Sequence, residues 1–222
     1  MGGTFAWESS PLDWCEINYQ VSPHIVEFWN TLSSMSMCIA GICGYLEYRN
    51  LTYEPHLWLV WFLMIGVGLG SALFHATLSI FGQVMDELPI TILVLYAVLI
   101  IRPLRKWTPW ERLRALLFSP TFLLSLFLAG SLLCLLFPLL SHTVTLSCIP
   151  LCVYAFYTEY KACKNPKLPL FFWGAILFLL AALAFWLLDR LYCEPLQVYF
   201  DEKIGFYPQF HAFWHIFVSL CF

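Results

Sequence analysis

The sequence predicts an all-α membrane protein, a bundle of seven transmembrane helices. Three observations predict it. Of 222 residues, 61% are hydrophobic; only 11% are charged; and the apolar residues gather into seven runs of roughly membrane length. A water-facing domain needs far more polar surface, so lipid is the expected solvent. The length suits one domain, 1–222. Aromatic residues make up 18% of the chain, in keeping with interfacial belts and a lipid pocket. The net charge of −3 gives no ground for a nucleic-acid partner. Nine cysteines lie scattered without a C-x-x-C, which excludes a zinc finger or a dense disulfide scaffold. No basic stretch followed by an apolar run opens the chain, so no cleavable signal peptide is expected.

Residues 1–27 form an acidic tail, and spans are expected near 28–47, 57–79, 85–102, 115–137, 143–161, 168–188 and 209–222. Eleven lysines and arginines set their direction. Arg49 follows the first span. Arg102, Arg105, Lys106, Arg112 and Arg114 follow the third, and Lys161, Lys164 and Lys167 the fifth. Only Arg190 and Lys203 fall on the other side. The positive-inside rule puts the first set in the cytosol, the N-terminus in the lumen and the C-terminus in the cytosol. The sequon Asn50-Leu51-Thr52 is then cytosolic and expected to stay unglycosylated. The endoplasmic reticulum is the first expectation and the Golgi the second, with no retrieval signal visible to separate them. From Gln209 to Phe222 there are 14 residues, about 21 Å of helix against about 30 Å of hydrocarbon. A truncated seventh helix is therefore expected, in a fragment or shortened variant that folds poorly and works weakly.

Ionisable residues inside membrane spans are costly and mark function by default. His75 lies near the lumenal end of span two, and His211 and His215 open span seven. The spacing i, i+4 sends both imidazoles from one helix face. Three such ligands with an open fourth position suit a catalytic zinc. Ser71 lies one turn from His75 on the same face, placed to donate to an oxyanion. Asp86 follows a short turn at Gly82-Gln83, opens span three, and is the best-placed carboxylate for proton transfer. Blander readings stand beside these: Ser71 as a packing residue, Asp86-Glu87 as a helix cap, and Asp189-Arg190 as a salt bridge at a helix end. His24, His56 and His142 lack partners at helical spacing and read as surface residues. In the tail, Asp13, Glu16, Asn18 and Glu27 offer oxygen ligands for a hard cation, with a backbone carbonyl such as that of Trp14. On spacing alone, a solvated acidic tail is the simpler reading.

These stretches resemble the alkaline ceramidases, membrane hydrolases of the ceramidase and hydrolase-receptor superfamily. The resemblance rests on Asp13-Trp14-Cys15-Glu16 with Asn18, Glu27-Phe28-Trp29-Asn30-Thr31, and Phe74 to Ser79 running on to Asp86-Glu87. Asp189-Arg190 with Cys193, and His211 with Trp214-His215, complete it. It implies zinc at His75, His211 and His215, with Ser71 and Asp86 catalytic. It implies calcium at Asp13, Trp14, Glu16, Asn18 and Glu27, and a disulfide between Cys15 and Cys193. The implied substrate is ceramide taken from the bilayer and cleaved to sphingosine and a fatty acid. Rival readings are a related seven-span zinc receptor, a lipid-remodelling esterase of the same superfamily, or a non-catalytic membrane protein with structural zinc. Family members continue past the seventh span into a cytosolic tail, where this sequence stops at Phe222.

Overall fold

In the computed structural model, residues 3–50, 57–100 and 119–222 are described. All regular structure among them is helical: α1 (Phe28–Tyr48), α2 (Leu57–Thr77), α3 (Ile80–Ile100), α4 (Pro120–Leu136), α5 (Pro138–Ala162), α6 (Leu168–Leu191), α7 (Cys193–Ile204) and α8 (Phe210–Ser219). Seven of these coincide with the predicted spans. The eighth, α7, occupies a segment expected to be loop. The cationic cluster Arg102–Arg114, His56, and Leu51-Thr52 of the sequon lie outside the described residues.

The helices form a ring. α1 packs on α2, α2 on α3, α3 on α5, α5 on α6, α6 on α8, and α8 on α1, while α4 lies against α3 and α5. Small residues permit the closest approach: a Cβ on Gly41 would fall 2.8 Å from the Trp61 carbonyl oxygen, and one on Gly68 the same distance from the Cys38 nitrogen. Such contacts let helix backbones meet where lipid offers no hydrophobic drive. Outside the ring the surface is oily. On α6 only Ala182 and Asp189 are buried, and Leu170, Phe171, Leu177 and Leu180 are among its exposed side chains. An apolar exterior of this extent fits lipid rather than water. Among the described residues, two helices are long and apolar enough to cross a membrane, Trp58–Thr77 and Leu168–Leu191.

Two boundaries differ from expectation in ways that matter to the site. The turn before α3 is at Leu78-Ser79, not Gly82-Gln83. Leu78 adopts the left-handed conformation (φ 44°), and the Ser79 hydroxyl accepts the Gly82 N–H at 3.0 Å, so it caps α3. Gly82 is inside the helix; its missing side chain lets α3 lie against α2, since a Cβ there would sit 2.8 Å from Phe74 Cα. Asp86 and Glu87 are therefore within α3 rather than at its cap. The second difference is that α5 begins at Pro138, directly after Phe137 closes α4, so the expected loop around 138–142 is helical.

The tail is fixed to the end of α2. The carbonyls of His75, Ala76, Thr77 and Leu78 accept N–H groups from Glu27, Val26, Glu8 and Ser10, all at 2.9–3.0 Å. A helix C-terminus leaves such carbonyls unpaired, and here the tail satisfies them. Leu12 and Val26 bury against Phe74 and Leu78 in the same seam. A disulfide joins Cys15 to Cys193, across 178 residues, and ties the tail to the start of α7.

Candidate metal centre

His75 ends α2, and His211 and His215 lie one turn apart on α8. All three are buried, and their ligand atoms lie within 4.8 Å of one another. Each ring is steered by a neighbour. Glu27, itself fully buried, pairs through Oε2 with His75 Nδ1. A carboxylate there fixes the tautomer with the proton on Nδ1. His75 Nε2 is then a lone pair facing inward, buried and without a hydrogen-bond partner. A buried acceptor with nothing to accept is costly, and a metal ion would satisfy it. The Ser33 hydroxyl lies 2.8 Å from His215 Nδ1, which leaves Nε2 toward the centre, 3.5 Å from Ser71 Oγ. His211 stacks on the Trp14 indole at 3.7 Å between centroids. Three neutral imidazoles are a donor set suited to zinc or a similar divalent metal.

Ser71 also accepts from Ser34 at 3.1 Å. Asp86, Ser71, His211 and His215 face one cavity of about 640 Å³. Beyond them most of its wall is apolar, with Met37, Met64, Val67, Leu93 and Leu179 among the lining residues, although Glu87 and Glu159 also border it. The two histidines, Ser71 and Asp86 thus form a polar patch on a greasy chamber.

The acidic tail residues also converge. Glu16 is buried and accepts the Trp29 and Asn30 N–H groups at 2.7 and 2.8 Å, at the start of α1. Glu27 accepts the Trp14 N–H at 3.0 Å and the Asn30 side-chain amide at 3.1 Å. The Asp13 carboxylate is drawn to within hydrogen-bonding reach of Glu27. Asn18 Oδ1 is buried without a partner. Facing carboxylates and an orphaned amide oxygen are a hard-cation donor set, and they fit calcium.

Without a cation, burial disfavours the ionised forms of Glu16 and Glu27. Burial pushes Glu16 up to about 7 and Glu27 up to about 8, from the 4.5 of a free glutamate. At these two residues the folded protein holds more protons than the unfolded chain above pH 4.5. Their contribution to stability falls as pH rises through that window, and a bound calcium ion, which requires the ionised form, would counter the fall. In chelator, the melting temperature is expected to drop between about pH 5 and about pH 8, and calcium to restore most at the upper end. Glu27→Gln should flatten both responses and loosen His75. A melting temperature in chelator that stays level or rises with pH would contradict this.

Asp189, read from sequence as half of a plain salt bridge, is something else. Buried at the end of α6, it accepts the Cys15 N–H, the Tyr207 hydroxyl and the His211 N–H. Arg190 instead donates to the Asp13 carbonyl at 3.2 Å and lies over the Trp14 ring. Ser33 and Ser34 were likewise not singled out. The visible signal is the run of polar residues Glu27, Asn30, Thr31, Ser33, Ser34 and Ser36 at the start of a membrane-length apolar segment.

Helices with an oily exterior, enclosing three converging histidines beside a serine and a carboxylate, define a membrane hydrolase-like architecture. Comparison with known proteins agrees. The ceramidase family model matches residues 6–222. Alkaline ceramidase of Drosophila melanogaster is 33% identical over 97% of this chain and 76% of its own length. Human alkaline ceramidase 1 is 30% identical over the whole chain and 82% of its own length, and mouse alkaline ceramidase 3 is 28% identical over 96% and 79%. The chain belongs to the alkaline ceramidase family and is a ceramidase-type hydrolase.

Proposed function

We propose that this chain is a single seven-span domain of the endoplasmic reticulum or Golgi membrane. It hydrolyses the amide of ceramide, using zinc at His75, His211 and His215 and braced by calcium at Asp13, Trp14, Glu16, Asn18 and Glu27. The observation that carries the reading is the buried cluster of three histidines, two of which, His211 and His215, line an apolar cavity beside Ser71 and Asp86. α1 to α6 and α8 supply the seven spans, with α7 on the lumenal side. Arg49, Lys161, Lys164 and Lys167 lie at the opposite end from the tail, which supports a lumenal N-terminus.

Ceramide carries two alkyl chains on a small polar amide, and the cavity matches that division. Its apolar wall takes a chain, leaving the amide at the polar patch. Zinc would acidify a water molecule and polarise the carbonyl. Asp86 takes one proton from the attacking water as the oxygen–carbon bond forms. Ser71 donates its hydroxyl hydrogen bond to the carbonyl oxygen as negative charge develops there. Asp86 then returns the proton to the nitrogen while the carbon–nitrogen bond breaks, releasing sphingosine and a fatty acid. The surrounding helices exclude bulk water, which strengthens each of these interactions.

The test pairs metal analysis with turnover. Purified protein is expected to hold one zinc per chain and to cleave ceramide in preference to an ester analogue of the same chain lengths. Stripping the metal should abolish cleavage, and added zinc should restore it. Preference for the ester would favour a lipid-remodelling esterase. Bound zinc without cleavage of either substrate would favour a receptor.

A further inference from the structure

We propose that Asp189 is a positioning residue for the metal centre: it holds the first turn of α8, and so sets where His211 stands. The inference rests on the reading of His211 as a metal ligand. Its geometric basis is independent of that reading. The residue before α8, Gln209, has a left-handed backbone (φ 58°) and makes no side-chain cap. The helix would thus begin with its N–H groups unpaired. Asp189, 2% exposed, supplies the missing acceptor from another helix: Oδ1 takes the His211 N–H at 3.2 Å and the Tyr207 hydroxyl at 2.9 Å. Its negative charge also suits the N-terminal end of the α8 dipole.

The second oxygen acts on the other side of the same imidazole. Oδ2 accepts the Cys15 N–H at 3.1 Å, and the adjoining residue, Trp14, stacks on His211. One carboxylate therefore fixes the backbone that carries the ring and the segment that supports its face. The disulfide at Cys15 joins the same two regions, because Cys193 lies four residues beyond Asp189. The disulfide sets only the span between them, whereas the carboxylate sets the height of His211 relative to His75. Outer partners of this kind are worth about 10- to 100-fold in metal affinity.

The experiment uses the full chain in detergent with cobalt(II) as a spectroscopic probe. Asp189→Asn keeps the shape but turns an amide NH₂ toward one set of donors. It should weaken cobalt binding by about tenfold or more and alter the ligand-field bands, with the Cys15–Cys193 bond intact and helix content unchanged. In metal-free protein the His211 amide should exchange faster with solvent. Glu194→Gln, an exposed change on α7, should alter neither. Unchanged cobalt affinity and unchanged exchange in Asp189→Asn would overturn the proposal. So would cobalt loss seen only together with loss of the disulfide and of helix content, which would make Asp189 a folding residue alone. Failure of the unsubstituted protein to bind cobalt would overturn the metal centre itself, and this inference with it.

Discussion

His211→Ala is expected to lose ceramide turnover by on the order of a thousandfold or more and to lose its zinc. Two imidazoles rarely hold a catalytic metal, and a thousandfold corresponds to about 4 kcal/mol, within what a metal contributes to charge stabilisation. His75→Ala and His215→Ala should match it. The three differ in their side effects. His75 is paired to the buried Glu27, so its loss strands a carboxylate and should lower stability as well. His215 leaves Ser33 and Ser34, hydroxyls that already donate to the Asn30 carbonyl on α1. Zinc content and turnover measured on the same purified samples decide the matter: normal turnover in His211→Ala would remove it from the centre.

Asp86→Asn is expected to lower turnover by about 10²- to 10⁴-fold with zinc retained, since an amide cannot ferry the proton that a carboxylate can. Ser71→Ala should lower it by about 10²- to 10³-fold, the range for losing one oxyanion donor, also with zinc retained. The two side chains line the same cavity and act on one reaction, so their effects should not add. The double variant should therefore fall short of the product of the two. Loss of zinc in Asp86→Asn would instead class Asp86 as a metal ligand, and unchanged turnover would remove it from proton transfer.

Much of this was legible in the sequence because lipid leaves few choices. Apolar runs bounded by charge read directly as α1 to α6 and α8, and ionisable residues within them stand out because they are expensive there. The pair at i, i+4 made His211 and His215 a unit before any coordinates. What stayed hidden was set by contacts between distant segments. Gly82-Gln83 reads as a turn, because a glycine needed for helix contact looks the same in sequence as one needed for a bend. Asp189 beside Arg190 reads as an ion pair, because neighbours in sequence are the only partners a sequence displays. Its actual donors come from Cys15 and from residues 207–211. Likewise, α7 has a polar composition that hides its helicity among loop residues.

The joining of the tail to α7 and α8 has a consequence for biosynthesis. The contacts of Cys15 with Asp189, Cys15 with Cys193, and Ser33 with His215 span 174, 178 and 182 residues. The tail leaves the ribosome first and can dock on the end of α2, yet Asp189 and Cys193 appear only once α6 and the start of α7 have been made. Glu16, Glu27 and His75 meet their partners on the tail, α1 and α2 early, whereas His211 and His215 both wait for α8. Long-range closure of this kind is slow compared with forming each helix. The histidine cluster is therefore expected to close in a single late step, when α8 docks beside α1 and its two histidines reach His75 on α2.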